Sequence, residues 1–297
     1  MPPQPALPFP GAKLVLKSGF EDGVVLNDSQ NRFGQWRQEL KGADQGYDWA
    51  GLPGSPADFQ YLVSGNDART SSDLKRFIET RIDTVTGRDG NSTKALYQAV
   101  RAEGSIGRTQ NDFILFNMQN PERGYLRYWI KLQPNLLDLM TENGDWRVLL
   151  EWKELPSFTV PLDFQYRWVV LISRAKPSRE SPVDGLVWKV EGDLVTPDQA
   201  AKGTQWTDDW TIFNRQAPVP LGEWFLFEVQ WNLDPGSNSR LLVKANGQVI
   251  AETTNRTQST WPRGKLYLFM NYMPIIAQSR GEAYQWVDDV ELWSYTP

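Results

Sequence analysis

In the segment YLRYWIKL, Tyr125, Arg127, Trp129 and Lys131 alternate with Leu126, Tyr128, Ile130 and Leu132. A two-residue period is the mark of a β-strand, with aromatic and cationic groups on one face and apolar groups on the other. Similar strand-like runs occur at 13–17, 96–103, 112–118, 124–133, 146–153, 163–174, 185–190, 209–214, 223–232, 240–251, 265–272 and 284–294, broken by clusters of Gly, Pro, Asn and Asp. So many short strands must each bury one face, and two packed antiparallel sheets do that. The predicted fold is all-β, a two-sheet antiparallel jelly-roll sandwich with few short helices.

Local signals refine this outline. Asn246-Gly247, between LLVKA and QVIAE, accepts the positive φ of a type I′ turn and predicts a hairpin. A helix is expected between Thr70 and Ile82, capped by Ser71 or Ser72, and a short turn between Asn135 and Glu142. Residues 27–69 carry no clean period and read as long loops. The Pro-rich residues 1–12 form a lead-in, and 13–297 form a single domain.

Two absences narrow the chemistry. The 297 residues include no cysteine and no histidine, so disulfides, thiolate nucleophiles, histidine bases and His-based metal sites are excluded. Any catalysis must run on carboxylates, tyrosine, lysine or arginine. A net charge of −5 and a pI near 5.0 argue against a nucleic-acid partner held by bulk charge. No apolar run approaches the roughly 20 residues of a membrane span, and MPPQPALPFPGA lacks the features of a signal peptide.

Other strands repeat the opening pattern. Tyr97, Arg101 and Glu103 share a face, as do Arg147, Glu151 and Lys153, and as do Trp224, Glu228 and Gln230. With 97–103, 125–131 and 147–153 side by side on a concave sheet, these faces form a groove with aromatic floors and paired charges. Flat rings stack on pyranose faces, and fixed cations hold hydroxyls and uronate carboxylates. The plainer alternative is a solvated face with cross-strand ion pairs. Trp152 and Trp231 fall on apolar faces and belong to the core. Trp129 and Trp224 fall on polar faces and suit sugar stacking, while Trp36, Trp49, Trp206 and Trp210 lie in loop-like stretches.

Glu103 and Glu151 offer a second chemistry. Two carboxylates on adjacent strands can cleave a glycosidic bond, with about 5 to 5.5 Å between them giving retention. A pair of Glu–Arg salt bridges would look the same in sequence.

SGFED at 18–22, RAE at 101–103, YLRYWIKL at 125–132, EWKE at 151–154, PVPLGEWFLFEVQW at 218–231 with its VKANGQVI hairpin, and VDDVELW at 287–293 occur in one order. Together they resemble the heparin-lyase-like polysaccharide lyases, which are concanavalin A-like jelly rolls. The resemblance implies β-elimination beside a uronate, with a Tyr and usually a His moving protons and an Arg, Gln or Asn neutralising the carboxylate. Here the histidine is absent. Tyr97 or Tyr125 must then move the proton and Arg101 or Arg127 must neutralise the uronate, which requires neighbouring cations to lower the phenol's pKa. Tyr97, Trp129, Lys131, Arg147, Lys153, Trp224 and Glu228 are the expected substrate contacts. Sugar-binding jelly rolls also pair their termini around a structural Ca²⁺, which places Glu21 and Asp289 as candidate ligands. The leading expectation is a secreted or periplasmic depolymerase of the lyase type acting on an acidic polysaccharide. A non-catalytic carbohydrate-binding domain, a glycoside hydrolase and an adhesive surface domain are the alternatives.

Overall fold

The structure is a computed structural model that describes residues 9–30, 36–49, 58–63, 75, 78–100, 109–118, 123–140, 146–155, 166–175, 185–194, 207–232, 239–254, 265–274 and 281–294. Two antiparallel sheets dominate it. The first has eight strands in the order β17 (Gln248–Thr254), β16 (Arg240–Ala245), β15 (Trp224–Asn232), β10 (Arg123–Leu132), β19 (Ala283–Ser294), β8 (Ser92–Val100) and β7 (Ile78–Thr86), with β1 (Lys13–Ser18) also paired to β19. The second has nine: β14 (Thr207–Asn214), β13 (Gly185–Leu194), β12 (Tyr166–Ala175), β11 (Trp146–Leu155), β18 (Lys265–Pro274), β9 (Thr109–Met118), β6 (Asp58–Val63), β3 (Trp36–Lys41) and β2 (Val25–Gln30). A two-residue pair, β4 (Ala43–Asp44) with β5 (Tyr47–Asp48), and one helical turn, α1 (Leu136–Leu139), complete the described elements.

Alternation decides which residues close the sandwich. The even-numbered side chains of β10, Leu126, Tyr128, Ile130 and Leu132, are all buried, as are Phe225, Phe227, Val229 and Trp231 of β15. They meet Trp152, Trp168, Val170, Ile172, Trp188 and Val190 of the second sheet in one core. Trp168 touches Trp231 across the sheets with ring centroids 6.1 Å apart, and the Tyr128 hydroxyl donates to the Leu149 carbonyl at 2.6 Å. Burying a large aromatic side chain stabilises by about 1.5–3 kcal/mol, so this tryptophan-rich layer is a major source of cohesion. Two glycines make room for it. A Cβ on Gly124 would lie 2.0 Å from the Trp231 ring, and one on Gly192 would lie 2.3 Å from Trp210 Nε1.

The sandwich, the Asn246-Gly247 hairpin with φ of 49° and 76°, and the α1 turn agree with the sequence reading. Three expectations need correction. Residues 25–30, 36–41 and 58–63 are strands of the second sheet rather than loops, with 25–30 at its edge, and the helix expected up to Ile82 is replaced from Ile78 onward by β7. In β7, pairing with β8 overrides the local helical signal. The third correction concerns sheet membership. β10 and β11 lie in opposite sheets, and β19 stands between β10 and β8. The strands at 97–100, 125–131 and 147–153 are therefore not neighbours, and residues 101–103 lie outside the described ones.

Trp36, Trp49 and Trp210 are all buried, Trp49 stacking on Phe20 at 5.7 Å, while Trp206 lies outside the described residues. No described helix is long and apolar enough to cross a membrane.

Candidate functional site

The outward face of the first sheet is a set of rows running across the strands. Trp224, Lys131, Trp286, Tyr97 and Arg81 stand in register on β15, β10, β19, β8 and β7. Lys131 Nζ lies 5.8 Å from the Trp286 ring, Trp286 packs on Tyr97 at 5.3 Å, and the Arg81 guanidinium sits 3.8 Å from the Tyr97 ring. A second row alternates charge: Lys244, Glu228, Arg127, Glu291 and Lys17. These are the cross-strand pairs that hold a sheet together.

Contacts within this face occupy the candidates read from the sequence. Arg127 Nε and Nη2 donate to one oxygen of Glu291 at 2.8 and 2.7 Å, and Lys17 Nζ approaches the other at 3.3 Å. The Tyr125 hydroxyl donates to Glu228. Burial first, and then Glu228, push the Tyr125 phenol above its ordinary range. Tyr97 moves the same way, through burial and then Glu282, which accepts a hydrogen bond from its hydroxyl at 3.2 Å. The expected cationic lowering of either phenol is therefore outweighed. The turn joining β7 to β8 also crosses this face. Arg88 lies 4.8 Å from the Trp129 ring while pairing with Asp289, and Trp224 Nε1 donates to the Thr86 carbonyl at 2.9 Å. Trp129 and Trp224 are thus held by their own chain.

The second sheet presents different chemistry. Arg167 of β12 reaches Glu151 of β11 at 2.9 Å through Nη1 and Asp193 of β13 at 2.5 Å through Nε. Both carboxylates are buried, and Arg167 is mostly so. Burial alone would lower the guanidinium's pKa, but the two carboxylates raise it above its usual value. Val148, Val169 and Leu171 form a separate apolar cluster beside them, distinct from the core between the sheets. At the far edge, Phe213 is 53% exposed, with Lys189 and Arg215 each within 6 Å of its ring. Backbone register aligns Tyr267, Lys153, Arg167 and Asp193 on β18, β11, β12 and β13. Tyr267, Arg167 and Asp193 were not singled out from sequence. Their signal was present in the alternation of KLYLF and YRWVV, but it has value only once the pairing of β11 with β12 and β18 is known.

The remaining candidates fall elsewhere. Arg147, expected on a substrate face, points into the interior, where its Nη1 donates to Gln285 of β19 at 2.9 Å. Arg101 and Glu103 lie outside the described residues. Glu151 lies on β11 of the second sheet, and the expected pairing of Glu103 with Glu151 involves a residue outside the described ones. Near the chain ends, Thr93 Oγ1 donates to Glu21 at 2.9 Å and approaches Asp288 at 3.5 Å, and Asp289 pairs with Arg88. Among the described residues, no group of three or more acidic side chains is spaced to hold a metal ion.

No family model matches the sequence, and no curated protein aligns with it. Solved structures with a similar chain path include an endo-β-1,4-glucuronan lyase from the fungus Trichoderma reesei, at 13% identity and a TM-score of 0.48, over 80% of this chain and 95% of that one. An alginate lyase shares 12% identity with a TM-score of 0.45, over 78% and 86% of the two chains. Domain 4 of an extracellular arabinanase from Geobacillus stearothermophilus shares 14% with a TM-score of 0.40, over 96% and 94%.

Proposed function

We propose that this chain is a depolymerase of the lyase type, acting on a uronate-containing polysaccharide at the outward face of the second sheet. The observation that carries this reading is the register of Tyr267 against Lys153 and of Lys153 against Arg167. Tyrosine, lysine and arginine at register-paired positions of β18, β11 and β12 are residue types on which histidine-free elimination can run, because cations favour the phenolate. Arg167 is committed to Glu151 and Asp193. In this reading, Lys153 takes the uronate carboxylate and acidifies the adjacent C5 proton.

Tyr267 then removes that proton. The C5–H electron pair forms the C4–C5 double bond, the C4–O glycosidic bond breaks, and the departing oxygen receives the proton back from the Tyr267 phenol, which restores the phenolate. Arg167 acts as a positioning residue, fixing β11 and β13 on either side of β12 through its two buried carboxylates.

The test is incubation with alginate, glucuronan, heparin-like and pectic polymers while following the ultraviolet absorbance of unsaturated products. Tyr267→Phe should lower the rate on a responsive polymer by about 10²–10⁴-fold. Lys153→Met should also reduce kcat/KM. Silence across the panel would overturn the lyase reading. Retention of a polymer without cleavage would assign the same face to non-catalytic carbohydrate binding, and reducing ends without unsaturation would assign hydrolysis.

A further inference from the structure

One charged group in the interior has no counter-charge among the described residues. The Arg147 side chain is fully buried between the sheets, and its guanidinium has a single hydrogen bond, from Nη1 to the Gln285 amide oxygen at 2.9 Å. Its Nε and Nη2 are buried with no hydrogen-bond partner. Burial alone lowers the Arg147 pKa to about 9, so the group remains a cation at neutral pH.

Among the described residues, the side chains hydrogen-bonded to Arg147 and onward from it are polar but uncharged. Gln285 Nε2 donates to Gln98 Oε1 at 3.4 Å, and Gln98 Nε2 donates to Asn111 Oδ1 at 3.2 Å. Asn111 Nδ2 in turn donates to Thr80 Oγ1 at 3.0 Å and to the Glu79 and Ala99 carbonyls at 3.1 and 3.3 Å. Gln285, Gln98 and Asn111 are fully buried. This belt satisfies its own members and offers Arg147 one carbonyl oxygen. It supplies no negative charge.

An isolated buried cation is costly, and natural interiors pair or neutralise such groups. The pattern of orphaned atoms is specific. Nε–H and Nη2–H point from the same edge of the planar guanidinium, the edge that grips an anion with two parallel hydrogen bonds. The third nitrogen is the one already used by Gln285.

We propose that the interior of the sandwich holds a small monovalent anion on the Nε/Nη2 edge of Arg147. Arg147 has no exposed surface, so the ligand is a small anion of the class of a halide, nitrate or formate. A polysaccharide carboxylate is too large to enter, so the site is separate from the face proposed for catalysis. Its role is structural: the anion completes the charge balance of the belt that ties β7, β8 and β19 of the first sheet to β9 and β11 of the second.

The experiment uses the full chain. Thermal midpoints are measured in sodium chloride and sodium gluconate at equal ionic strength, for the native protein and for Arg147→Met. A ligand bound only by the folded state raises stability with the logarithm of its concentration once binding saturates. The native midpoint should climb with chloride and stay flat in gluconate, and Arg147→Met should lose the chloride response. A crystal of the native protein grown in bromide should show an anomalous peak within hydrogen-bond distance of Arg147 Nε and Nη2. Equal chloride responses in the two proteins would overturn the proposal. So would a bromide map with only water on that edge, and this measurement decides the matter even if Arg147→Met does not fold.

Discussion

Arg127 and Glu291 face each other across the β10–β19 ladder, with two guanidinium nitrogens at 2.8 and 2.7 Å from the same carboxylate oxygen. Glu291 is buried, and although burial raises its pKa, Arg127 and then Lys17 bring it below the usual carboxylate value. The pair is a fastening between strands. Arg127→Ala leaves a buried carboxylate with the more distant Lys17 and should destabilise by about 1–3 kcal/mol. Urea unfolding measures this loss. Cleavage of a responsive polymer, per folded molecule, should be unchanged within about twofold, whereas an arginine that neutralised substrate would lose 10²-fold or more.

Gly124 is covered by the Trp231 ring so closely that an added methyl group would overlap it. Gly124→Ala should therefore cost about 1–3 kcal/mol through overpacking. The fluorescence of the tryptophan-rich core gives a second measurement, since Trp231 must shift and Trp168 lies 6.1 Å from it. An unchanged denaturation midpoint would mean that the ring has another place to go.

Those two sites show how much was legible from sequence. The period of YLRYWIKL correctly assigned Leu126, Tyr128 and Ile130 to the core and Arg127 to the outward face, because alternation is a local property of one strand. It could not say which strand lies alongside. β10 and β11 follow one another and carry similar Arg, Lys and aromatic patterns, yet the segment between them, including α1, passes from one sheet to the other. β19, from the far end of the chain, fills the place beside β10. Arg147 shows the same limit in miniature. It was read with Glu151 and Lys153 as one outward face, but Leu149 and Leu150 both enter the core and the β11–β12 register shifts between Val148 and Leu150. This irregularity turns Arg147 inward, and no period reveals it.

Asp288 carries a pH dependence whose sign is fixed by its surroundings. Burial first, and then the charge of Asp289, raise its pKa from 3.8 to about 7. The folded state holds this proton more tightly than the unfolded state, so the contribution is full below about pH 4 and is lost as pH rises through about 7. Asp288→Asn removes the ionisation and should raise the thermal midpoint at pH 8 relative to the native protein, by roughly 2–4 °C for each kcal/mol regained. At pH 4 the advantage should vanish. Calcium is the competing proposal for this corner. If a Ca²⁺ ion takes the proton's place, millimolar calcium will raise the native midpoint at pH 8 and Asp288→Asn will lose that gain.

Arg167 gives the opposite signature. Its pKa is raised by Glu151 and Asp193 despite burial, so its stabilising contribution is present throughout the range below the arginine value and does not vary between pH 5 and 9. Arg167→Met strands two buried carboxylates, Glu151 and Asp193, in adjoining strands. Removing one partner from a buried charge pair costs about 3–5 kcal/mol. Urea midpoints of the native protein and of Arg167→Met at neutral pH measure this loss. A deficit well under about 1 kcal/mol would mean that the cluster is held by the surrounding β11–β13 packing rather than by charge.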